Sequence, residues 1–169
     1  DRKIVVRVNA PEVLRQTFDK KRWQGESITF SGNTDCYQPL ERRYELTRRC
    51  LAVCADYKNP VHVITKSALV RRDLDLLVRL SREARCGVTL SIPFADEAMA
   101  RAIEPYASAP SARLETVRIL AEEGIAVGVN VAPVVPGLND TQIIELLERA
   151  HAAGARRAAI IPVRLAAEV

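Results

Sequence analysis

The sequence predicts an α/β fold of parallel strands, and two observations predict it. Strand-like runs recur along the 169 residues with helix-like segments between them, which is the pattern of repeated βα units. Most of the runs are continuous apolar or β-branched blocks, as expected for parallel strands that are buried on both faces. Six strands are predicted, over residues 3–9, 27–32, 61–66, 87–92, 125–133 and 156–165.

The segments between these runs have the periodicity of helices. Apolar side chains fall on one stripe of each segment, and the many arginines mostly take the outer face, where we expect them to be solvated. Asn139 or Asp140 is predicted to cap the last helix, and Gly124 and Gly154 are predicted to end helices in the left-handed conformation. Helices are predicted over residues 39–57, 71–85, 96–105, 111–123 and 140–153.

Length and composition indicate one soluble globular domain with a core of its own. The net charge of +4 comes from 25 basic and 21 acidic residues, which allows nucleic-acid binding, although few aromatic residues are present to stack on bases. No apolar stretch approaches the roughly 20 residues that span a bilayer, and no secretory signal opens the chain. Four cysteines in a chain of this length do not resemble a disulfide scaffold, so we expect a cytoplasmic location and no membrane partner.

Two common nucleotide-binding motifs are missing from the sequence. No G-x-G-x-x-G follows a strand and no G-x-x-x-x-G-K-[ST] occurs, which argues against a Rossmann site and a P-loop. The remaining architectures are an open flavodoxin-like sheet and a complete or partial TIM-type barrel. Because the chain starts and stops beside strand-like runs, we expect a fragment of a longer protein.

Polar and charged residues gather where the predicted strands end. In both architectures the chemistry collects at the carboxyl ends of parallel strands, although Ser, Asn and Asp are also common turn formers there. Lys66 closes an apolar strand and needs a partner or solvent; with Arg7 and Arg164 it would form a cationic rim for a carboxylate or phosphate. Gly32 would allow a ligand to approach the backbone closely.

The cysteines are a weaker signal. Cys50 and Cys54 have C-x3-C spacing, but Tyr57 occupies the position of a third iron–sulfur ligand. Both cysteines lie on the apolar stripe of a predicted helix, so we interpret them as core residues. Cys36 lies at the rim and is the better candidate for a reactive thiol among the cysteines, although we interpret it first as a small half-buried side chain. The two histidines stand alone, so no metal constellation is visible.

Three segments together resemble the radical S-adenosylmethionine (SAM) superfamily, with a particular likeness to an uncharacterised bacterial group related to spore photoproduct lyase. The resemblance covers nearly the whole chain, includes the opening IVVRVNAPEVLR, and treats residues 1–169 as one radical SAM-like barrel core. Its specific motifs are GNTD followed by YQP, then ITKS, and then APVVPGLND. The segments are GNTDCYQPLERRYELTRRCL, NPVHVITKSALVRRDLDLL and EPYASAPSARLETVRILAEEGIAVGVNVAPVVPGLND.

The resemblance implies a partial (β/α)6 TIM-type barrel, incomplete in this chain, and a [4Fe–4S] cluster held by C-x3-C-x2-C after the first barrel strand. That motif does not occur in this sequence, so the chain holds no metal ligands of this kind. We expect the motif before residue 1, which would make the run 3–9 the second barrel strand or an element just before it. This fragment would then not assemble the cluster and would be inactive.

The activity that the resemblance implies for the full-length protein is a radical reaction. A reduced cluster donates one electron to the sulfonium of SAM, and homolysis gives methionine and a 5′-deoxyadenosyl radical that abstracts hydrogen from an unknown substrate. The enzyme would be lyase-like. Two alternatives stay open, a DNA photoproduct lyase-like repair enzyme and a non-catalytic βα domain that binds a small ligand.

The resemblance also assigns site residues by position. The segment formed by Gly32, Asn33, Thr34 and Asp35 would bind the amino group of the methionine moiety. Lys66 and Ser91 would contact the ribose or the carboxylate, and Asn130 and Val131 would pack on the adenine. No catalytic residue is assigned. The predicted substrate pocket consists of Arg7, Asn9, Cys36, Tyr37 and Arg164. An incomplete barrel also exposes strand edges, which allows a homodimer.

Overall fold

The computed structural model of the chain describes residues 4–31 and 34–164, and within them it contains one sheet of five parallel strands. Each strand pairs with the next one along the chain, so the strand order follows the sequence. The α/β prediction is confirmed. The strands are β1 (Ile28–Phe30), β2 (Val61–Thr65), β3 (Cys86–Ser91), β4 (Ala126–Val134) and β5 (Arg157–Pro162).

This strand order decides between the two predicted architectures. A doubly wound flavodoxin-like sheet reverses its order at an internal switch point, whereas the order β1-β2-β3-β4-β5 has no reversal. A sequential parallel order is that of a βα barrel wall.

Helices connect the strands and pack on one face of the sheet, which we call the helix face. Two short 3₁₀ segments, Ala68–Asp73 and Asp140–Gln142, precede α-helices. Gly124 and Gly154 have positive φ angles directly after helices, as predicted. The helices are α1 (Ala10–Phe18), α2 (Glu41–Tyr44), α3 (Leu46–Asp56), α4 (Leu74–Glu83), α5 (Glu97–Ile103), α6 (Pro110–Glu122) and α7 (Ile143–Ala152).

The hydrophobic core lies between the helix face and these helices. Because side chains alternate along a strand, the buried Val63, Leu90 and Val129 point to the helices, and the residues between them point to the opposite side. We call that side the inner face. Among the paired positions of the five strands, those on the inner face are Thr29, His62, Ile64, Gly87, Thr89, Ser91, Ala126, Gly128, Asn130, Arg157 and Ala159.

The prediction of a first strand over residues 3–9 is wrong for the described part of that run. Residues 4–9 form irregular backbone and a turn that lead into α1, and Ile4 and Val5 are exposed. The segment has the composition of a strand, but a strand exists only where a neighbour completes its hydrogen bonds. Pro11 then starts a helix, where its missing N–H is not needed.

Two predicted details of the helices also need correction. The helix over 39–57 is interrupted at Glu45, which has a φ of 49°, and the Glu41 carboxylate caps α3 by accepting a hydrogen bond from the Thr47 N–H. The predicted cap at Asn139 or Asp140 is wrong. The buried Asn139 side chain instead donates to the carbonyls of Pro93 and Pro133, 2.6 and 3.0 Å away, and accepts from the Val135 N–H.

Candidate ligand site at the strand ends

Lys66, Ser91 and Asn130 lie side by side at the carboxyl ends of three neighbouring strands. Ser91 pairs with Asn130, and the pairing of Thr65 with Leu90 brings Lys66 next to Ser91. Adjacent strands are about 4.8 Å apart, so one ligand of moderate size can reach all three residues. The structure therefore brings together three of the residues that the sequence predicts to bind the cofactor.

Lys66 is held by a carboxylate that the sequence analysis did not identify. Its ammonium forms an ion pair with Glu104, which lies directly after α5. Glu104 also accepts a hydrogen bond from Arg113 of α6, at 2.8 Å. Burial alone would raise the pKa of Glu104, but hydrogen bonds from Lys66 and Arg113 keep its pKa below the ordinary value. Glu104 is therefore ionised at neutral pH.

Arg113 is the buried centre of this arrangement, with only 1% of its surface exposed. Its guanidinium donates to the carbonyl oxygens of Ser91 and Ser108, at 2.7 and 2.6 Å, and to the carboxylate of Glu104. Because it bonds to the end of β3 and to the loop between α5 and α6, Arg113 fixes that loop over the strand ends.

A cleft of about 360 Å³ opens between this loop and the segment after β1. Its wall combines charged groups with apolar side chains, and Tyr106 at its edge is almost fully exposed. Clefts of this kind, with a few polar groups in an apolar wall, are typical of small-molecule sites. The charged and aromatic lining includes Asp35, Lys66, Glu104 and Tyr106.

Asp35 has a structural role in the loop after β1. Its carboxylate accepts hydrogen bonds from the Thr65 hydroxyl and the Lys66 N–H, both at 2.7 Å, and from the Tyr37 N–H at 2.8 Å. The loop is thereby attached to the end of β2. Thr34 beside it is exposed, and Gly32 and Asn33, which the resemblance assigns to the cofactor, lie outside the described residues.

The residues predicted to form the substrate pocket do not all meet in one place. Arg7 and Cys36 line a groove of about 570 Å³ beside α2, whereas Asn9 is an exposed residue before α1 and Arg164 is exposed after β5. Tyr37 lines the 360 Å³ cleft, although its side chain is buried.

Three of the predicted site residues, Cys36, Tyr37 and Val131, have side chains that are poorly placed to contact a ligand. Burial raises the pKa of Cys36 to about 12, so its thiol is protonated at neutral pH and is a weak nucleophile. The Tyr37 hydroxyl donates to the buried Asp73 at 2.9 Å. Val131 is 1% exposed and packs in the core on the helix face.

A buried cluster of ion pairs lies beside the rim and was missed by sequence reasoning. Arg48 and Arg72 both bind the fully buried Asp73, and Arg72 also binds Glu41. The helical periodicity predicts that the arginines of these helices lie on solvated faces, which is wrong for Arg48 and Arg72. The sequence does contain a signal for these ion pairs. Glu41 and Asp73 both fall near apolar positions of their segments, and a buried carboxylate requires a cationic partner.

The described residues do not fit an iron–sulfur cluster. Within residues 4–31 and 34–164, no group of three or more Cys, His, Asp or Glu side chains could hold a metal ion. Burial raises the pKa of Cys50 to about 11 and of Cys54 and Cys86 to about 12, which disfavours the thiolate that cluster iron requires. Cys50 and Cys54 are core residues, as predicted.

In the part of the chain that the structure describes, no helix has both the length and the apolar composition needed to cross a membrane.

Comparison with known proteins gives one family match and several relatives. Residues 2–150 match the family model described as the Radical SAM superfamily. The uncharacterized protein Rv2578c of Mycobacterium tuberculosis (strain ATCC 25618 / H37Rv) is 32% identical over 98% of this chain and 49% of its own length. The uncharacterized protein MJ0683 of Methanocaldococcus jannaschii is 30% identical over 83% of this chain and 51% of its own length. The chain spans about half the length of the curated relatives it matches.

Solved structures show the same fold. The crystal structure of Streptococcus suis SuiB has a TM-score of 0.65 and 17% identity, and the match covers 98% of this chain and 35% of that one. SuiB bound to S-adenosylmethionine has a TM-score of 0.59 and 16% identity, over 83% of this chain and 30% of that one. This likeness confirms the predicted partial TIM-type barrel architecture.

Proposed function

The chain belongs to the radical SAM superfamily, and on that premise we propose that it is the SAM-binding barrel core of a radical SAM enzyme. One observation carries the proposal. The strand register brings Lys66, Ser91 and Asn130 together at the carboxyl ends of three adjacent strands, which is where parallel βα folds bind their ligands. Lys66, Ser91 and Asn130 would hold SAM, which on one-electron reduction would supply a radical that abstracts hydrogen from a substrate.

We call Lys66, Ser91 and Asn130 the cofactor row. Their side chains have suitable chemistry for such a ligand. The Lys66 ammonium, which forms an ion pair with Glu104, can bind the carboxylate of the methionine moiety as a point charge. Ser91 and Asn130 can donate to and accept from ribose hydroxyl groups. Asp35 acts indirectly, since it holds the Lys66 backbone through a 2.7 Å hydrogen bond.

The cluster that this chemistry needs has no ligand set among the described residues. We propose that cysteines of the full-length protein outside residues 1–169 hold a [4Fe–4S] cluster, because the curated relatives extend well beyond the region that this chain matches. In that view residues 1–169 form one barrel core of a longer chain and are inactive alone.

The proposal is tested in the full-length protein after anaerobic loading with iron and sulfide. With a one-electron reductant and SAM, we expect bound iron and the release of methionine and 5′-deoxyadenosine. A protein that binds no iron and cleaves no SAM contradicts the proposal. An iron-loaded protein that leaves SAM intact favours the alternative of a non-catalytic, ligand-binding βα domain.

Lys66→Ala tests the assignment of the row. Loss of a hydrogen bond to a charged group costs about 1.5–3 kcal/mol, so we expect the dissociation constant of SAM to rise by about tenfold or more in titration calorimetry. Glu104 keeps its bond to Arg113, which should preserve the fold. Lys21→Ala, which removes an exposed lysine remote from the strand ends, is the matched control. Equal SAM affinity in the two variants would remove Lys66 from the site.

The more specific assignments are also proposals. We propose a relation to spore photoproduct lyase from the sequence motifs alone; it would imply lyase chemistry on DNA, and the net charge of +4 is compatible with it. Phosphate contacts predict that duplex affinity falls steeply with salt, whereas a flat salt dependence would argue against DNA. A cytoplasmic location and a homodimer through exposed barrel edges stay predictions from the sequence; β5 is the exposed strand at one end of the described sheet.

A further inference from the structure

Three polar side chains form a second row on the inner face, closer to the amino ends of the strands. Thr89 of β3 pairs with Gly128 of β4, which pairs with Arg157 of β5. His62 of β2 joins the row through Nε2, which lies 3.0 Å from the Thr89 hydroxyl oxygen. Thr89 precedes Ser91 by two residues, so this row lies about 7 Å below the proposed cofactor row.

Gly128 leaves a gap between Thr89 and Arg157, whereas the space above Gly87 is filled by the imidazole of His62. A Cβ atom at Gly128 would lie 3.3 Å from the Cβ of Arg157 and 3.5 Å from the Thr89 hydroxyl oxygen, so a side chain there would fill the gap between them. A Cβ atom at Gly87 would lie 2.7 Å from Nδ1 of His62. Glycines in strand interiors often mark positions where a ligand or another backbone approaches closely.

The charge of the inner face has one sign. None of the inner-face positions of the described strands carries an acidic side chain, and Arg157 contributes a permanent positive charge. Burial lowers the pKa of His62, and the nearby charge of Arg157 lowers it further, so the imidazole is neutral at physiological pH and can donate one hydrogen bond. Because His62 Nε2 and the Thr89 hydroxyl are hydrogen-bonded to each other, one of them accepts in that bond, and the pair has one proton left to donate to a ligand.

We propose that His62, Thr89 and Arg157 bind an oxyanion group of the substrate, a carboxylate or a phosphate, on the inner face below the cofactor row. The inference rests on the proposed function and extends it to the chemical class of the substrate. A planar guanidinium can bind two oxygens of such a group at once. The gap at Gly128 gives the group room to approach Thr89.

The experiment uses the full-length protein with isotope-labelled histidine. Inorganic phosphate and succinate are titrated separately, and the side-chain resonances of His62, assigned by their loss in His62→Gln, report binding. We compare Arg157→Gln with Arg156→Gln, which removes the neighbouring exposed charge just before β5. The wild type and Arg156→Gln should bind with the same affinity, and Arg157→Gln should bind about tenfold more weakly. Tighter binding of phosphate or of succinate identifies which oxyanion the site prefers.

The outcomes separate this inference from the proposed function. If the protein cleaves SAM but the His62 resonances respond to neither anion, or Arg157→Gln binds as tightly as Arg156→Gln, the oxyanion site is overturned and the SAM assignment stands. If anion binding depends on Arg157 but the iron-loaded protein cleaves no SAM, the proposed function is overturned and an anion site of another kind is left.

Discussion

The two faces of the sheet are built by the same strands but have different compositions. On the helix face, Val63, Leu90 and Val129 are buried and apolar, and their packing stabilises the fold. On the inner face, apolar Ile64, Ala126 and Ala159 alternate with glycine, hydroxyl, amide and basic side chains. The residues at the strand ends are tied to the α5–α6 loop and α6 by the Lys66–Glu104 ion pair and by the hydrogen bond from Arg113 to the Ser91 carbonyl. The comparison indicates that stability depends mainly on one face and ligand binding on the other.

The largest loss of stability is expected where α6 is joined to the carboxyl end of β3. Arg113→Ala removes the buried guanidinium that links α6 to the carbonyl of Ser91 and to Glu104. Removing one partner of a buried ion pair costs about 3–5 kcal/mol, and we expect a loss of that order in the free energy of unfolding measured with urea. Arg118→Ala, which breaks only exposed pairs on the same helix, should change little. If Arg113→Ala changed the free energy of unfolding as little as Arg118→Ala, the contacts of Arg113 with Ser91 and Glu104 would not stabilise the fold.

A pair of truncations tests the two faces directly. Leu90→Ala leaves a cavity in the core on the helix face, and such changes cost about 2–5 kcal/mol. Ile64→Ala on the inner face removes a side chain that is only half-buried, so its cost in urea unfolding should be clearly smaller. Equal costs would contradict the division of roles between the faces.

The smallest predicted effect depends on pH. Because the pKa of Glu104 in the folded protein lies below its ordinary value of 4.5, the stabilisation is present above that value and is lost as the pH falls through the folded pKa. Glu104→Gln should therefore destabilise the protein near neutral pH, and its difference from the wild type should shrink in acid. Urea unfolding near neutral pH and below pH 4.5 measures the difference in free energy between Glu104→Gln and the wild type. Glu148→Gln, at an exposed position, is the control. A difference that does not change with pH would exclude the ion pairs as its source.

The local pattern predicts the five strands of the sheet correctly. It also predicts a strand in the first run of the chain, where residues 4–9 form none. The blocks around Val63, Leu90 and Val129 were identified because continuous apolar runs bounded by turns require burial on a sheet. Residues 4–9 have a similar composition and form no strand, because a strand also needs a neighbour to bond to. Composition alone cannot supply that information.

The candidate site was only partly predictable for a related reason. The juxtaposition of Lys66, Ser91 and Asn130 is predictable because parallel strands bring their carboxyl ends together; their role in binding stays a prediction. Glu104 and Arg113 were missed because each acts through a partner from a distant element. Helical periodicity tells which face of a helix is apolar, but it does not reveal that an arginine at a buried position faces a carboxylate.

The buried amide of Asn139 has a mechanical consequence. By bonding to the carbonyls of Pro93 and Pro133 and to the Val135 N–H, it joins the turn after β3 to the turn after β4. A ligand that displaces one of these turns must therefore displace the other as well. The two turns at this end of the barrel should move together as one rigid unit.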